Sequence, residues 1–451
     1  MLKRVFIANR GEIALRIIRA CKELGFTSII GYSDADKNSL PVNIADEKIC
    51  IGPASPIESY LNIPSILSAM ELMHADSVHP GYGFLSENPF FVEICNASRI
   101  TFIGPSADNL RLMGDKSEAR ITMKKHRLPV ISGFDNLMDI EDACKQAKKI
   151  GFPVMIKASA GGGGRGMRIA KNEDEFRIHW PACQQEAMIA FDNSSLYIEK
   201  FIERPRHIEI QVLVDEKGNV FIFPERDCSL QRRHQKLIEE TPSPIIDKPM
   251  RKKLQKIARK ICKLINYTSA GTIEFLMGGR NAYFMEMNTR IQVEHPITEM
   301  LTGFDLVKSQ IEIASGERIS YPHCFVNFTG HSIECRINAE DPAKNFLPSP
   351  GRITKLVLPG GPGIRVDTHI YQDYIIPPYY DSLIAKLISY GRTREEAIAR
   401  MQRALCEMRI EGVKTTIDFY KKVLEHPVFQ SGRYYVGWLE KLQEENNNHS
   451  D

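Results

Sequence analysis

The sequence predicts an α/β and α+β multidomain chain, with a parallel βαβ layer at its N-terminus and antiparallel sheet toward its C-terminus. Three observations carry this. A length of 451 residues exceeds one ordinary hydrophobic core and calls for two to three domains. The first hundred or so residues alternate β-branched runs with helical patterns, the mark of parallel strands joined by helices. Farther on, HIEIQVLV and NVFIFPER follow one another with no helix between them, which asks for antiparallel pairing.

In the first layer, KRVFIA leads to the helix pattern EIALRIIRACKELG, then TSIIGYS, PSILSAMELMHA and DSVHP. Ile13, Ile17 and Cys21 form one stripe with Ala14 and Ile18 beside it, while Arg16, Arg19 and Glu23 fall elsewhere and leave a polar face for a partner. The turn Asn9-Arg10-Gly11-Glu12 lacks the glycine spacing of a dinucleotide fingerprint, so a Rossmann cofactor site is disfavoured. Asp115 and Glu118 have the form of a capping box opening a helix at Lys116. A helix pattern at 139–150, strands in GFPVMIKA, GMRIA and SLYIEKFI, and a further helix then describe a small α/β lid. The chain closes on a Pro/Gly-rich region from Leu347 to Gly363, the helix pattern REEAIARMQRALCEM and a polar tail.

Bulk composition narrows the function classes. Hydrophobic content of 43% and charged content of 25% are ordinary for a globular protein and exclude a disordered or fibrous chain. A net charge of +3 gives no reason to expect nucleic acid or an anionic membrane as partner. Asn9, Arg10 and Glu12 interrupt the first apolar stretch too early for a signal peptide, and no run approaches the ~20 apolar residues of a membrane span. Ten cysteines scattered from Cys21 to Cys406 contain no C-x-x-C pair, so the expectation is reduced thiols in the cytoplasm.

Three segments carry chemistry. PVMIKASAGGGGRGMRI puts Lys157 at a strand end, followed by a loop whose Gly161, Gly162, Gly163, Gly164 and Gly166 let backbone approach phosphate oxygens closely. It lacks the G-K-[ST] ending of a Walker loop and joins two strands, so a flap over ATP is expected, with Lys116 and Lys157 as cations; a glycine run taken alone also serves as a linker. GTIEFLMGGRNAYFMEMN reads as a hairpin in which a three-residue loop, Gly279 to Asn281, sets Glu274 opposite Glu286, and a four-residue loop makes them diagonal neighbours. Facing carboxylates are destabilising without a cation, and Mg²⁺ is the natural one, with Asn288 on the same face. In MEMNTRIQVEHP, Glu286, Asn288, Arg290, Gln292 and Glu294 recur at spacing two and project one way for as long as the backbone stays extended. That set suits a metal, a planar oxyanion clamped by Arg290 and a base in Glu294, although a solvated edge strand has the same alternation.

Taken together with HPGYGFLSEN, RLMGDKSEAR, YIEKFIERPRHIEIQVL, ERDCSLQRRHQK, ECRINAEDP and FLPSPGRI, these segments resemble the biotin carboxylase family of the ATP-grasp superfamily over almost the whole chain. The resemblance implies that Lys116, Lys157 and the glycine loop hold ATP, that Glu199 and Lys200 flank the adenine, and that His207, Gln231 and His234 line the nucleotide. It implies Glu274, Glu286 and Asn288 as ligands of Mg²⁺ or Mn²⁺. Lys236, Arg290, Gln292, the Val293 backbone and Glu294 resemble a bicarbonate site, Arg336 the arginine facing the biotin ureido oxygen, and Tyr82 a neighbour of biotin. Arg16, Arg19 and Glu23 resemble part of a homodimer contact. One departure is Ala160, where bacterial members often begin a five-glycine loop.

By the same resemblance, an N-terminal α/β domain is expected at 1–114, linker helices and an ATP-grasp lid at 115–203, an ATP-grasp core at 204–330, a C-terminal domain at 331–446 and a tail at 447–451. No Ala-Met-Lys-Met biotinylation sequence occurs, so biotin is expected on a separate biotin carboxyl carrier protein, with carboxyltransferase subunits as further partners. An acetyl-CoA carboxylase serving fatty acid synthesis is the simplest setting; a pyruvate or propionyl-CoA carboxylase, or a carbamoyl-phosphate-type synthetase, is the alternative.

Overall fold

The computed structural model describes residues 2–158, 167–191, 193–319, 321 and 324–448. Its first layer is β1 (Arg4–Ile7), α1 (Gly11–Leu24), β2 (Thr27–Ser33), α2 (Leu40–Ile44), β3 (Glu47–Gly52), α3 (Ile63–Leu72), β4 (Ser77–His79), α4 (Pro89–Ala97) and β5 (Thr101–Phe102). The five strands are parallel in the order β3-β2-β1-β4-β5. Because β1 sits where the order reverses, the loops leaving the C-terminal ends of β1 and β4 diverge there, and the one after β4 reaches the cleft described below with Tyr82 and Gly83. The stripe of Ile13, Ile17 and Cys21 is fully buried, and Gly25 ends α1 with φ of +73°, a left-handed cap that glycine adopts without strain.

The polar face of α1 is not left free as expected. Arg16 is buried, pairing with Glu299 at 3.1 Å and with Asp305. The reason is packing, since α11 (Leu306–Ala314) lies against α1 and brings its capping Asp305 with it. Arg19 and Glu23 stay exposed, Glu23 lying 3.7 Å from Lys308.

After α5 (Ala107–Gly114), α6 (Lys116–Lys125) starts where the capping pattern places it, with Asp115 accepting from the Glu118 N–H. The lid follows as a separate four-stranded sheet, β6-β9-β7-β8, built from β6 (Gly133–Leu137), β7 (Val154–Ala158), β8 (Arg168–Ala170) and β9 (Leu196–Lys200). Its helices α7 (Ile140–Ile150) and α8 (Glu173–Phe191) enclose their own core around Trp180, Phe176 and Ile198. The β7–β8 pairing confirms two strands flanking the glycine loop, while Gly161, Gly162, Gly163, Gly164 and Gly166 lie outside the described residues.

The largest element is an antiparallel sheet of eight strands. It runs β14 (Asn281–Asn288), β13 (Ser269–Gly278), β10 (Arg206–Val214), β11 (Val220–Arg232), β12 (Gln235–Thr241), β15 (His331–Asn338), then the strands Leu383–Gly391 and Ile364–Thr368. Helices α9 (Lys248–Leu264), α10 (His295–Thr302) and α12 (Arg394–Glu407) pack on it, so every residue of β10 and β11 is buried.

Candidate active site

Six strands of that sheet and one turn aim polar side chains into a single cleft of about 700 Å³. β10 contributes His207, β11 Gln231 and β12 Lys236; β13 gives Glu274, β14 Glu286 and Asn288, and β15 Arg336. Arg290, Gln292 and Val293 line it from the segment after β14, and Tyr82 from the loop after β4. Lys116, Lys157 and His234 stand around the same opening.

Glu274 and Glu286 are directly opposed, but not by the expected loop. The turn is a two-residue one, Gly279-Arg280, with Gly279 at φ of +58°, and a bulge at Met285 supplies the missing residue. The bulge has a consequence for parity. Ala282 and Phe284 face the core before it and Met287 after it, which turns Glu286 and Asn288 toward the cleft. The alternating run also ends sooner than pure extension requires. The strand stops at Asn288, and Glu294 sits at the N-cap of α10 with φ of −81° and ψ of 11°. The side chains converge nevertheless, because Arg290 reaches Gln292 at 3.0 Å and Asn288 at 3.2 Å.

Lys236 organises the floor. Its ammonium lies 2.7 Å from Glu209, 3.0 Å from Glu274 and 2.6 Å from Glu294. Arg336 takes the other oxygen of Glu294 at 2.9 Å and Glu239 at 2.6 Å. Burial alone would raise the Glu294 carboxyl, but Lys236, Arg336 and Arg226 overcome it and hold the group well below the usual carboxylate range. Glu274 is likewise held low against burial, by Lys236 and by His207 at 2.9 Å. Lys236 is correspondingly pushed up, the three carboxylates outweighing its desolvation. Glu239 goes the other way: burial raises it to about 7, Arg336 opposing and Glu294 adding to the rise.

Two buried carboxylate clusters, His207 with Glu209 and Glu274 and Glu209 with Cys228 and Glu294, have ligand atoms within 4.8 Å of one another. The Lys236 ammonium already bonds the carboxylates of both, so neither is a separate metal centre. Glu286 and the Asn288 amide line the cleft beside the buried Glu274, which accepts from Asn288 at 2.9 Å as well as from Lys236, and the three together carry the oxygen donors that a hard divalent cation takes. Lys116 stands 2.5 Å from Glu286.

Glu199 and Lys200 separate. Glu199 accepts from Lys157 beside a second cavity of about 370 Å³ that continues under the lid, whereas Lys200 donates to the carbonyls of Gly151 at 2.8 Å and Phe152 at 3.1 Å, outside both cavities. The structure adds groups that sequence reasoning missed. Glu87 accepts from Thr289 N–H at 3.1 Å and from Arg290 Nε at 2.9 Å, and the fully buried Arg226 pairs with Glu209. Glu87 lies within HPGYGFLSEN, a polar signal at hand; Glu209 looks like any alternating strand residue.

Comparison with known proteins matches the chain to three family models. These are the biotin carboxylase N-terminal domain over residues 1–110, the carbamoyl-phosphate synthase L chain ATP-binding domain over 115–321, and the biotin carboxylase C-terminal domain over 334–441. A biotin carboxylase of Nostoc sp. is 55% identical over 97% of this chain and 99% of its own length. A pyruvate carboxylase subunit of Methanothermobacter thermautotrophicus is 51% identical over 98% of this chain and 90% of its own length. Among solved structures, the biotin carboxylase domain dimer of Hydrogenobacter thermophilus 2-oxoglutarate carboxylase, in complex with MgADP, ADP and bicarbonate, superposes with a TM-score of 0.91 at 48% identity, covering 98% of each chain.

Proposed function

The chain belongs to the biotin carboxylase family of ATP-grasp ligases, and from that premise we propose that it uses ATP and bicarbonate to carboxylate biotin on a separate biotin carboxyl carrier protein, the first half-reaction of an acetyl-CoA carboxylase in fatty acid synthesis. One observation carries the mechanistic reading. Lys236 and Arg336, from paired strands, grip opposite oxygens of Glu294 beside the Arg290–Gln292 pair. Such a site presents guanidinium and ammonium donors to a planar oxyanion, with an ionised carboxylate to take its proton.

In this reading Lys116 and Lys157 hold the nucleotide phosphates, and His207, Gln231, His234 and Glu199 line the nucleotide, with Lys200 bracing the lid strand behind them. Mg²⁺ or Mn²⁺, held by Glu274, Glu286 and Asn288, would supply charge neutralisation at the phosphoryl oxygens. Arg290, Gln292, Lys236 and the Val293 N–H orient bicarbonate, and Glu294 removes its proton. A bicarbonate oxygen then bonds to the γ-phosphorus as the bond to ADP breaks, giving carboxyphosphate. That species splits to CO₂ and phosphate; the phosphate accepts the ureido N–H proton, and the nitrogen attacks CO₂. Arg336 stabilises the negative charge on the ureido oxygen, with Tyr82 beside the ring. The glycine loop, read from sequence, covers the labile intermediate against water.

Replacing Glu294 by Gln tests the reading. Bicarbonate-dependent ATP cleavage should fall by roughly 10²–10⁴-fold, the usual worth of a general base, while ATP affinity holds. Near-normal turnover would remove Glu294 from that role.

A second acceptor is supported by a specific similarity, that to the Methanothermobacter pyruvate carboxylase chain at 51% identity, against 55% for the biotin carboxylase. Supplying purified biotinylated carriers from each complex in turn, and comparing kcat/KM, decides between them. Further parts of this reading are carboxyltransferase subunits as partners, a cytoplasmic setting suited to ten cysteines without a disulfide, and a homodimer that uses the exposed Arg19 and Glu23. Among the described residues, no helix is long and apolar enough to cross a membrane.

A further inference from the structure

We infer that Lys386 is a positioning residue for the bicarbonate turn, holding the Val293 carbonyl from beneath the cleft through an ammonium that Glu12 keeps in place. This rests on the reading that residues 290–294 bind bicarbonate.

Lys386 lies in the middle of the apolar strand Leu383–Gly391, with no exposed surface, paired in register with Arg336 on one side and Asp367 on the other. Among the described residues its Nζ has two partners: the Val293 carbonyl oxygen at 2.9 Å and Glu12 Oε1 at 2.9 Å. The same Glu12 oxygen accepts the Tyr82 hydroxyl, and its other oxygen is buried without a partner among the described residues.

A buried ammonium is an expensive way to fill this space, since an apolar side chain of similar volume usually serves stability as well or better. The expense has a local reason at Val293. That residue precedes the N-cap of α10, so its carbonyl has no donor in the helix, and the Ile297 N–H goes to Glu294 at 3.3 Å. The Val293 carbonyl is therefore left outside the helical ladder, in a part-buried position that favours a protein donor. Lys386 supplies it. Fixing that carbonyl fixes the plane of the peptide joining Val293 to Glu294, from which the Glu294 side chain departs and to which the Val293 N–H is the preceding neighbour along the turn.

The connection spans the molecule. Glu12 comes from the first turn of α1 and Tyr82 from the loop after β4, both beside the reversal point of the parallel sheet, Lys386 from the C-terminal part of the large sheet, and Val293 from the turn between them. Tyr82 lines the cleft, so one carboxylate oxygen joins its wall to the backbone of the turn.

The test compares the purified full chain with Lys386→Met, with the double variant Lys386→Met/Glu12→Gln, and with Arg290→Met, in bicarbonate-dependent ATP cleavage and thermal unfolding. Lys386→Met should lower Tm, because Glu12 loses its counter-charge, and raise the KM for bicarbonate about tenfold, the worth of one hydrogen bond from a charged donor, with the KM for ATP unchanged. The double variant removes the stranded charge, so Tm should recover while the bicarbonate KM stays raised. Should Lys386→Met alone fail to fold, the double variant carries the same comparison. Recovery of both Tm and bicarbonate KM in the double variant would show Lys386 to be structural only and overturn the inference. An unchanged bicarbonate KM in the Lys386 variants overturns it too; if Arg290→Met raises that KM, the bicarbonate reading survives, and if Arg290→Met also leaves it unchanged, both fall.

Discussion

Glu240, on β12, illustrates how single residues hold this fold. It accepts from His331 at 2.5 Å, from Arg394 at 2.7 and 3.0 Å and from the Tyr434 hydroxyl, almost entirely out of solvent. Burial alone would raise its carboxyl, but His331 and Arg394 hold it well below the ordinary 4.5. A carboxylate whose folded pKa is depressed stabilises the native state above its unfolded pKa and loses that contribution as pH falls toward the folded value. Glu240→Gln should therefore cost about 3 kcal/mol in urea unfolding at pH 7. The gap to the parent should stay constant down to about pH 5 and narrow below 4.5; a gap independent of pH would mean that packing, not charge, is the source. The residues lining the cleft were legible because they occur in dense polar motifs, RIQVEH and LQRRHQK among them. Their partners Glu209, Glu239 and Lys386 were not. A charged residue in an apolar strand reads as solvent-facing until both faces of the sheet are known to be covered, and that coverage is a tertiary fact.

At the scale of elements, α6 shows how a cap serves a site. Asp115 accepts the Glu118 N–H and so fixes the first turn of the helix, whose first residue is Lys116 at the cleft mouth. Asp115→Ala should cost about 1 kcal/mol of stability and, by loosening that turn, raise the ATP Kd several-fold, while Asp115→Asn, also a good N-cap, should do neither. Nucleotide titration with thermal unfolding reads both; an Ala variant with unchanged ATP affinity would mean that Lys116 is positioned by its contact with Glu286 instead. The cap was readable from four residues, and most of the strands and helices from periodicity, since local pattern determines them. β6 was not, because GFDNL contains too few β-branched residues to signal a strand and exists by pairing with β9. Nor was the bulge at Met285, for it is created by where the hairpin turn tightens, and the sequence was compatible with several loop lengths.

For the whole molecule, sheet continuity decides which parts can stand alone. The eight-stranded sheet continues across residue 330, because β12 pairs with β15 through Ile238↔Cys335, Glu239↔Glu334, Glu240↔Ile333 and Thr241↔Ser332. A chain ending at Gly330 would expose β12 as a long unpaired edge, strand Glu239 without Arg336, and uncover an apolar surface including Leu230, Leu237 and Ile238. The lid differs on each count, having its own sheet and its own core. Both of its ends meet the same hairpin: Val130 bridges to Phe284, and Ile202 packs against Gly278. A short Gly/Ser linker replacing residues 131–202 can therefore close the gap without crossing the molecule. We expect the lidless chain to elute as a discrete species and to unfold cooperatively within a few degrees of the parent, with ATP binding lost, and the chain ending at Gly330 to aggregate. Size-exclusion chromatography with circular dichroism distinguishes them. A folded, discrete 1–330 chain would mean that the edge of β12 is protected by side chains rather than by β15, and that the two halves of the large sheet are held together only by their ion pairs.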